Sequence, residues 1–442
     1  MSITNLSTTY IMKTTKRILK YLAITLFAIA LWIVTVVSST MNGWWRESIT
    51  NESDIKSFIH AVNDEVKNQF VGNFAMATIN NGKVEAEIFH TAGTVVDRNT
   101  VFQVASLSKW VSAVGVMKLV ENGKLDLDVP VSTYLTRWQL PESKYNNDKV
   151  TVRRLLSHTA GLTDGLGYSG FESEESIQEL EASLTNAADA DKGVSGVVEV
   201  GVEPGEFKYS GGGFTLLQLL VEEVSGESFT SYMKNTIFEP LNMNYSNYKW
   251  NEDSGYKLVE FYNDDGSEAK HYRYTSLAAT SLYTSISDLE LFFQFFMKGK
   301  NNEPIGRNVL KPETLKSMRE VHATSLGMDI WGLGTILYTK TDNGDFIIGH
   351  DGKSTPPINT AVRLNPETGD GIIVLETGNS DLATKLASEW VFWKTKKVDV
   401  ILFAMSEDKM KSIIGRGVIS IVILSILMGV IRYRKKYAKR TK

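Results

Sequence analysis

A serine and a lysine three residues apart, Ser106 and Lys109, stand in the stretch VASLSKWVSA, residues 104–113. Around them Leu107, Trp110, Val111, Val114 and Met117 recur at the i, i+3, i+4, i+7 spacing of a helix face. Asn122-Gly123 then supplies a stop. Residues three apart on a helix point the same way, so the hydroxyl and the amine are predicted to lie side by side, with Ser108 turned elsewhere. A serine hydroxyl is a poor nucleophile until something accepts its proton, and a lysine amine accepts it only when uncharged. From a reference pKa near 10.4 it has to come down by roughly three, worth about 4 kcal/mol. Burial on an apolar face, with a second cation or a tyrosine close by, supplies a drop of that size. The start of a helix adds backbone N–H groups able to hold a developing oxyanion. The pair therefore reads as a nucleophile and its base, against the commoner alternative of a solvated lysine beside a capping serine.

Other chemistries are struck off by what is missing. The chain has no cysteine, which excludes disulfides, thiolate zinc sites and a cysteine nucleophile. Its six histidines form no HExxH or other close metal-ligand spacing, and no G-x-S-x-G elbow is present. Gly352-Lys353-Ser354 resembles the end of a phosphate-binding loop, but that motif needs glycine where Ile347 stands. No metal and no cofactor is expected. The net charge of −4 hides an uneven distribution: Lys13, Lys16, Arg17 and Lys20 precede the first apolar run, and Arg432, Arg434, Lys435, Lys436, Lys439, Arg440 and Lys442 follow the last. Between 46 and 431 this leaves 36 basic residues against the 51 acidic ones. So acidic a body argues against nucleic acid as partner.

Two apolar runs flank that body. LAITLFAIALWIVTVV, within 21–45, is long enough to span roughly 30 Å of hydrocarbon. It reads as an uncleaved anchor with Trp44-Trp45 at the interface; a cleaved signal peptide ending near VSST is the competing reading. Met12, followed by KTTKRILK, is an alternative start. GVISIVILSILMGVI (417–431) reads as a second span when Ile413 to Arg416 are included, Arg416 snorkelling, against the alternative of a buried core helix. The basic cluster after Ile431 and the basic residues before Tyr21 both mark cytoplasmic ends. The expected location is a bacterial cytoplasmic membrane, with both termini cytoplasmic, the body on the extracytoplasmic side and the lipid bilayer as a partner. The domain reading is 1–45 cytoplasmic N-terminus and anchor, 52–395 catalytic body, and 396–442 second span and basic tail.

The elements that must position the pair come from both ends of the body. FAMATINNGKVEAEIF (74–89) is a hairpin around Asn81-Gly82, a type I′ signal. Strand patterns return at 334–350 and 358–378, with turns expected at Asn343-Gly344 and Asp370-Gly371. RRLLSHTAGL, FESEESIQELEASL, FTLLQLLVEEVSG and SDLELFFQFFMKG read as helices between them, and DLATKLASEWVFWKT as a closing helix. This predicts an α+β body: one antiparallel sheet built from both ends and flanked by helices, with a helical insertion. A transmembrane helix stands at each terminus.

VFQVASLSKWVSAVGVMKLVENGKLDLDVPVSTYL resembles the nucleophile region of the serine β-lactamase and penicillin-binding protein superfamily, in its class C-like branch. VRRLLSHTAGL (152–162), FKYSGGGFTLLQLLVEEVSG (207–226), SLYTSISDLELF (281–292), WGLG (331–334) and GHDG (349–352) resemble further family segments in the expected order, spanning roughly 55 to 395. The resemblance implies a sheet flanked by an all-helical subdomain, with Ser106 as acyl-accepting nucleophile, Lys109 as its proton acceptor and Tyr209 as the second acid/base group. His350 and Gly352 would line the strand beside the substrate. The N–H of Ser106 and one near Lys353 would form the oxyanion hole. His158, Asp126 and Asp288 are read as structural. Two departures stand out: Gly211 replaces the asparagine of the family's Y-x-N, and His350 replaces a lysine. Both weaken the case for an efficient β-lactamase and leave acyl transfer open. The expected substrate is a small peptide, ester or lactam, foremost a D-amino-acid or cell-wall peptide; the alternative of another class is a non-catalytic receptor for wall fragments.

Overall fold

Asn81 and Gly82 both take positive φ, 48° and 67°, and close strand β1 (Phe74–Asn80) onto β2 (Lys83–His90), as a type I′ turn requires. The computed structural model describes residues 3–438 apart from positions 166 and 300, so Lys439, Arg440 and Lys442 of the basic tail lie outside the described residues. It divides into a body, Ser48–Thr395, and a terminal unit made of Met1–Glu47 and Lys396–Lys442.

In the body, β3 (Phe102–Gln103) pairs with β4 (Tyr283–Thr284). The remaining strands are β5 (Ala323–Ser325), β6 (Met328–Trp331), β7 (Ile336–Lys340), β8 (Phe346–Ser354), β9 (Ile358–Asn365) and β10 (Asp370–Thr377). Among the described residues they join β1 and β2 in an eight-stranded antiparallel sheet of order β2-β1-β10-β9-β8-β7-β6-β5. The first and last parts of the body thus interlock through β1 and β10, from Phe74↔Glu376 to Ile79↔Gly371. The inner strands are buried along nearly their whole length, which is why they read as continuous apolar runs rather than alternating ones. The closing helix Leu382–Thr395 packs on β9 and β10, while the turn before the helix Ser108–Glu121 packs on β8 and β9.

Two sequence expectations need correcting. Asp370 and Gly371 are not a turn; they pair with Asn365 and Leu364 as the start of β10, and the reversal precedes them, with Gly369 at φ 69°. Gly371 is a strand glycine because a Cβ there would lie 2.2 Å from the Phe293 ring and 2.3 Å from the Arg363 carbonyl oxygen. The helix expected across FESEESIQELEASL is split into a 3-10 turn, Glu174–Ser176, and a short helix, Leu180–Thr185. Its acidic first half has no buried residue to hold it down. RRLLSHTAGL is helical only as far as Leu156, with turn and loop from Ser157 on, and the other helical segments form as read. Ser210 and Ser285 cap the helices Gly211–Ser225 and Ile286–Phe295, and Gly226 ends the first in a left-handed conformation.

In the terminal unit, the helices Ile3–Met41 and Glu407–Ala438 lie side by side and antiparallel. Thr25 donates to Ser425 at 3.0 Å, and Arg432 donates to the Tyr21 hydroxyl at 3.0 Å. At Gly417 a Cβ would collide with the Trp32 indole. Among the described residues these two helices are long and apolar enough to cross a membrane. Their apolar side chains, among them Leu26, Phe27, Leu31, Ile423, Leu424 and Leu427, stay exposed.

Candidate active site

Ser106 sits in a 3-10 turn, Ala105–Leu107, that runs directly into the helix Ser108–Glu121. That helix is buried at every position from Ser108 to Met117, so it is a core helix all round rather than one apolar face. Trp110 fixes it, stacked on Phe296 with ring centroids 5.0 Å apart and edge-on to Phe292 at the same distance. Ala105, just before the nucleophile, takes φ 47°, a conformation costly for a residue with a Cβ. The sheet holds the turn in place. A Cβ on Gly352 would lie 2.1 Å from the Val104 carbonyl oxygen and 3.1 Å from the Leu107 nitrogen. The Thr360 hydroxyl donates to that same oxygen at 2.9 Å. Gly352 is therefore a close-approach glycine that lets β8 press on the nucleophile turn.

Lys109 is 1% exposed. Its Nζ donates to the Ala279 carbonyl at 2.8 Å and lies 3.1 Å from Ser106 Oγ. It stands 5.0 Å from the centre of the Tyr209 ring and 5.8 Å from that of Phe214. Burial lowers its pKa to about 7, with the Asp164 carboxylate opposing the drop. Burial pushes the Tyr209 phenol up, against the lowering effect of the neighbouring Ser106 side chain, so it stays protonated. Near neutral pH the amine is thus partly uncharged while the phenol keeps its proton.

The Y-S-G segment is placed by residues from two other elements. The His158 ring stacks on Tyr209 with centroids 4.2 Å apart, and its Nδ1 accepts the Ser210 N–H at 3.2 Å. Burial, then the neighbouring Lys109 and His350, holds His158 well below its usual pKa, so it packs as a neutral ring. Asp164, itself buried, accepts from the Ser210 hydroxyl at 2.5 Å and the Gly212 N–H at 2.6 Å. A carboxylate at that helix start suits the positive end of the dipole. Gly211–Gly213 leaves room for it; a Cβ on Gly212 would lie 2.8 Å from Asp164 Cγ. Gly211 offers no side-chain amide to a substrate. Trp331 is the shared wall, with its ring 4.8 Å from His158, 5.6 Å from Tyr209 and 5.4 Å from His350.

His350 and Lys353 both lie on β8. His350 Nδ1 is 2.6 Å from the Asp351 carbonyl. Burial, with Lys109 nearby, lowers its pKa to about 3, so the imidazole carries no charge at neutral pH. Asp351 points to the other face, accepting from Tyr338 at 2.8 Å, Thr384 at 3.0 Å and Arg363 at 3.2 Å. The Lys353 ammonium is drawn onto Asp381 at 2.8 Å.

Ser106, Lys109 and Lys353 open onto a cavity of about 220 Å³, lined also by Tyr168, Asp191 and Thr355, among others. Larger cavities of about 330 Å³ lie elsewhere in the body and touch neither Ser106 nor Lys109. Ser106, Lys109 and Tyr209 come together as the spacing and the resemblance implied, and Gly352 abuts them. Sequence reasoning missed Trp331, Asp164 and Asp191. WGLG was in view as a segment, but nothing in it says that the tryptophan faces three site rings. Asp164 follows S-H-T-A-G-L by two residues, a position that gives no hint of its burial.

A family model described as Beta-lactamase matches residues 58–389, and the chain belongs to that family. Protein flp of Staphylococcus aureus (strain MRSA252) is 26% identical over 297 residues, covering 65% of this chain and 54% of flp. PbpX of Bacillus subtilis (strain 168), provisionally named a penicillin-binding protein, is 30% identical over 207 residues, 46% of this chain and 47% of its own. The chain spans about half the length of these curated relatives. Among solved structures, the octameric penicillin-binding protein homologue from Pyrococcus abyssi aligns with a TM-score of 0.61 at 24% identity, covering 77% of each chain. A β-lactamase/D-alanine carboxypeptidase from Pseudomonas syringae aligns with a TM-score of 0.59 at 17% identity, covering 76% of this chain and 98% of that one. Those likenesses show the shared α+β fold. Family and fold together define a member of the Beta-lactamase family with that family's α+β body.

Proposed function

We propose that the body, read as 52–395, transfers acyl groups through Ser106, with Lys109 as its proton acceptor and Tyr209 as proton donor, acting first on D-amino-acid or cell-wall peptides and second on simple esters. The observation that carries this reading is the buried Lys109 amine 3.1 Å from Ser106 Oγ, with its pKa lowered to about 7. Ser106 Oγ attacks the substrate carbonyl as its proton passes to Lys109 Nζ. The oxyanion is held by the N–H of Ser106 and the one near Lys353. As the tetrahedral intermediate collapses, the scissile bond breaks and the departing amine or alkoxide takes a proton from the Lys109–Tyr209 pair. Water then enters in the reverse sense, releasing the acid and returning the proton to Ser106. Neutral His350, with the Lys353 charge engaged by Asp381, favours neither a β-lactam carboxylate nor a free C-terminal carboxylate as strongly as a fixed lysine would.

The terminal helices support a membrane setting for this chemistry. Their antiparallel register brings Tyr21 beside Arg432, so the described basic residues Lys16, Arg17, Lys20, Arg432, Arg434 and Lys435 fall at one end, as two cytoplasmic termini require. The body then acts on the extracytoplasmic side, with 1–45 and 396–442 as its anchors.

The test is covalent labelling of the full-length protein. A fluorophosphonate or a fluorescent penicillin is expected to modify Ser106, and Ser106→Ala is expected to abolish modification without shifting Tm. Undiminished labelling of the variant would place the nucleophile elsewhere. Failure of every acylating probe would leave a binding protein.

A further inference from the structure

We infer that Asp191 makes the active cleft a receptor for substrates that carry a protonated amine. The inference deepens the hydrolase reading and rests on it. Among the described residues that line the cavity with Ser106 and Lys109, Asp191 is the one carboxylate. It is held on the wall by the Ser169 hydroxyl, which donates to Oδ1 at 3.2 Å. Gly167 lets it lie close, since a Cβ there would be 2.8 Å from Oδ2. Tyr168, its phenol 2.9 Å from the Thr215 hydroxyl, forms the aromatic wall beside it.

The charge of Asp191 is not spoken for by the protein. No lysine or arginine pairs with it among the described residues. Behind it stands a second acid, Asp189, 5% exposed and without a side-chain partner for either oxygen. Burial raises Asp189 to about 6, and Asp191 adds to the effect, so the two carboxylates sense each other. The cations around the cavity answer it only weakly: Lys353 leans on Asp381, the His350 ring is neutral, and burial leaves Lys109 only partly charged near neutral pH. A cleft with one unanswered carboxylate, backed by another, concentrates cations and repels anions. The ligand chemistry is an ammonium, either the α-amine of the residue whose carbonyl is attacked or the terminal amine of a lysine-like side chain.

The test uses p-nitrophenyl alkylphosphonates that differ only in one appended group: an ammonium beside phosphorus, an ammonium on a four-carbon arm, an acetamide, or a carboxylate. Ser106 Oγ forms the P–O bond, p-nitrophenolate leaves with its electron pair, and the hydroxyl proton passes to Lys109. Labelling rates on the intact protein are expected to favour an ammonium probe over the acetamide by about tenfold or more, the scale of one charged hydrogen bond. The preferred arm length separates the α-amine from the side-chain amine. In Asp191→Asn the ratio is expected to fall to within about threefold, while Asp191→Glu retains a preference for ammonium. Equal rates for all four probes, a faster carboxylate probe, or a preference that survives Asp191→Asn would overturn the inference and leave the hydrolase reading standing. No labelling of Ser106 by any probe would remove both.

Discussion

Burial of the Lys109 amine lowers its pKa to about 7, against 10.5 in the unfolded chain, and this has a sign for stability as well as for rate. Between those values the unfolded chain holds a proton that the folded one has shed, so raising the pH there favours folding. Below about 7 both states are protonated and the burial penalty is felt in full. Labelling of Ser106 in the wild type should therefore rise as pH increases through about 7. Lys109→Met should abolish labelling and raise Tm, with a larger gain near pH 6 than near pH 9.5; an equal gain at both would mean the amine is not displaced from its ordinary pKa. Tyr209→Phe keeps the ring that stacks on His158 and removes only the hydroxyl. It should slow labelling by about 10²-fold, the usual range for a proton donor in place, with Tm little changed. A rate within a few-fold of the wild type would take Tyr209 out of the chemistry.

At the scale of the element, β8 works through its two faces. Period-two alternation sends His350 and Gly352 towards the nucleophile turn and Asp351 to the opposite side. There Asp351 meets Arg363, which is fully buried and lies 3.6 Å from the centre of the Tyr338 ring. Asp351→Asn leaves that guanidinium facing an amide instead of a carboxylate. The expected cost is about 3 kcal/mol, the lower end for breaking a buried pair, measured by denaturant unfolding of the body. A loss under ~1 kcal/mol would show the pair is not what holds the strand. Gly352→Ala should disturb catalysis more than its size suggests, because the new methyl meets the Val104 backbone, which cannot swing aside.

At the scale of the whole molecule, the lack of cysteine makes topology easy to read, since each introduced thiol reports alone. Lys124→Cys in the body and Arg434→Cys in the tail are both at exposed positions. A membrane-impermeant maleimide should label the first in intact cells and the second only after permeabilisation. The reverse pattern would put the body on the cytoplasmic side.

What could be read from the sequence was short-range or compositional. Ser106 and Lys109 meet because the 3-10 turn that holds the serine runs straight into the helix that holds the lysine, and three residues of such winding bring their side chains to one side. Asn81-Gly82 closes its hairpin because few other residues tolerate two positive φ values in a row. The terminal apolar runs declare themselves by length. One glycine signal shows the limit: Gly371 read as a turn and proved to be a strand position opened for Phe293, because absence of a Cβ serves both needs equally. Whether the Lys109 amine is buried, and which charges line the cavity beside it, was decided only in three dimensions. The amine is desolvated by Ala279, Tyr209 and Phe214, the Lys353 charge is taken up by Asp381, and Asp191 is left unanswered on the wall. Desolvation and ion pairing depend on groups brought close by folding from far along the chain, and local spacing carries no record of them.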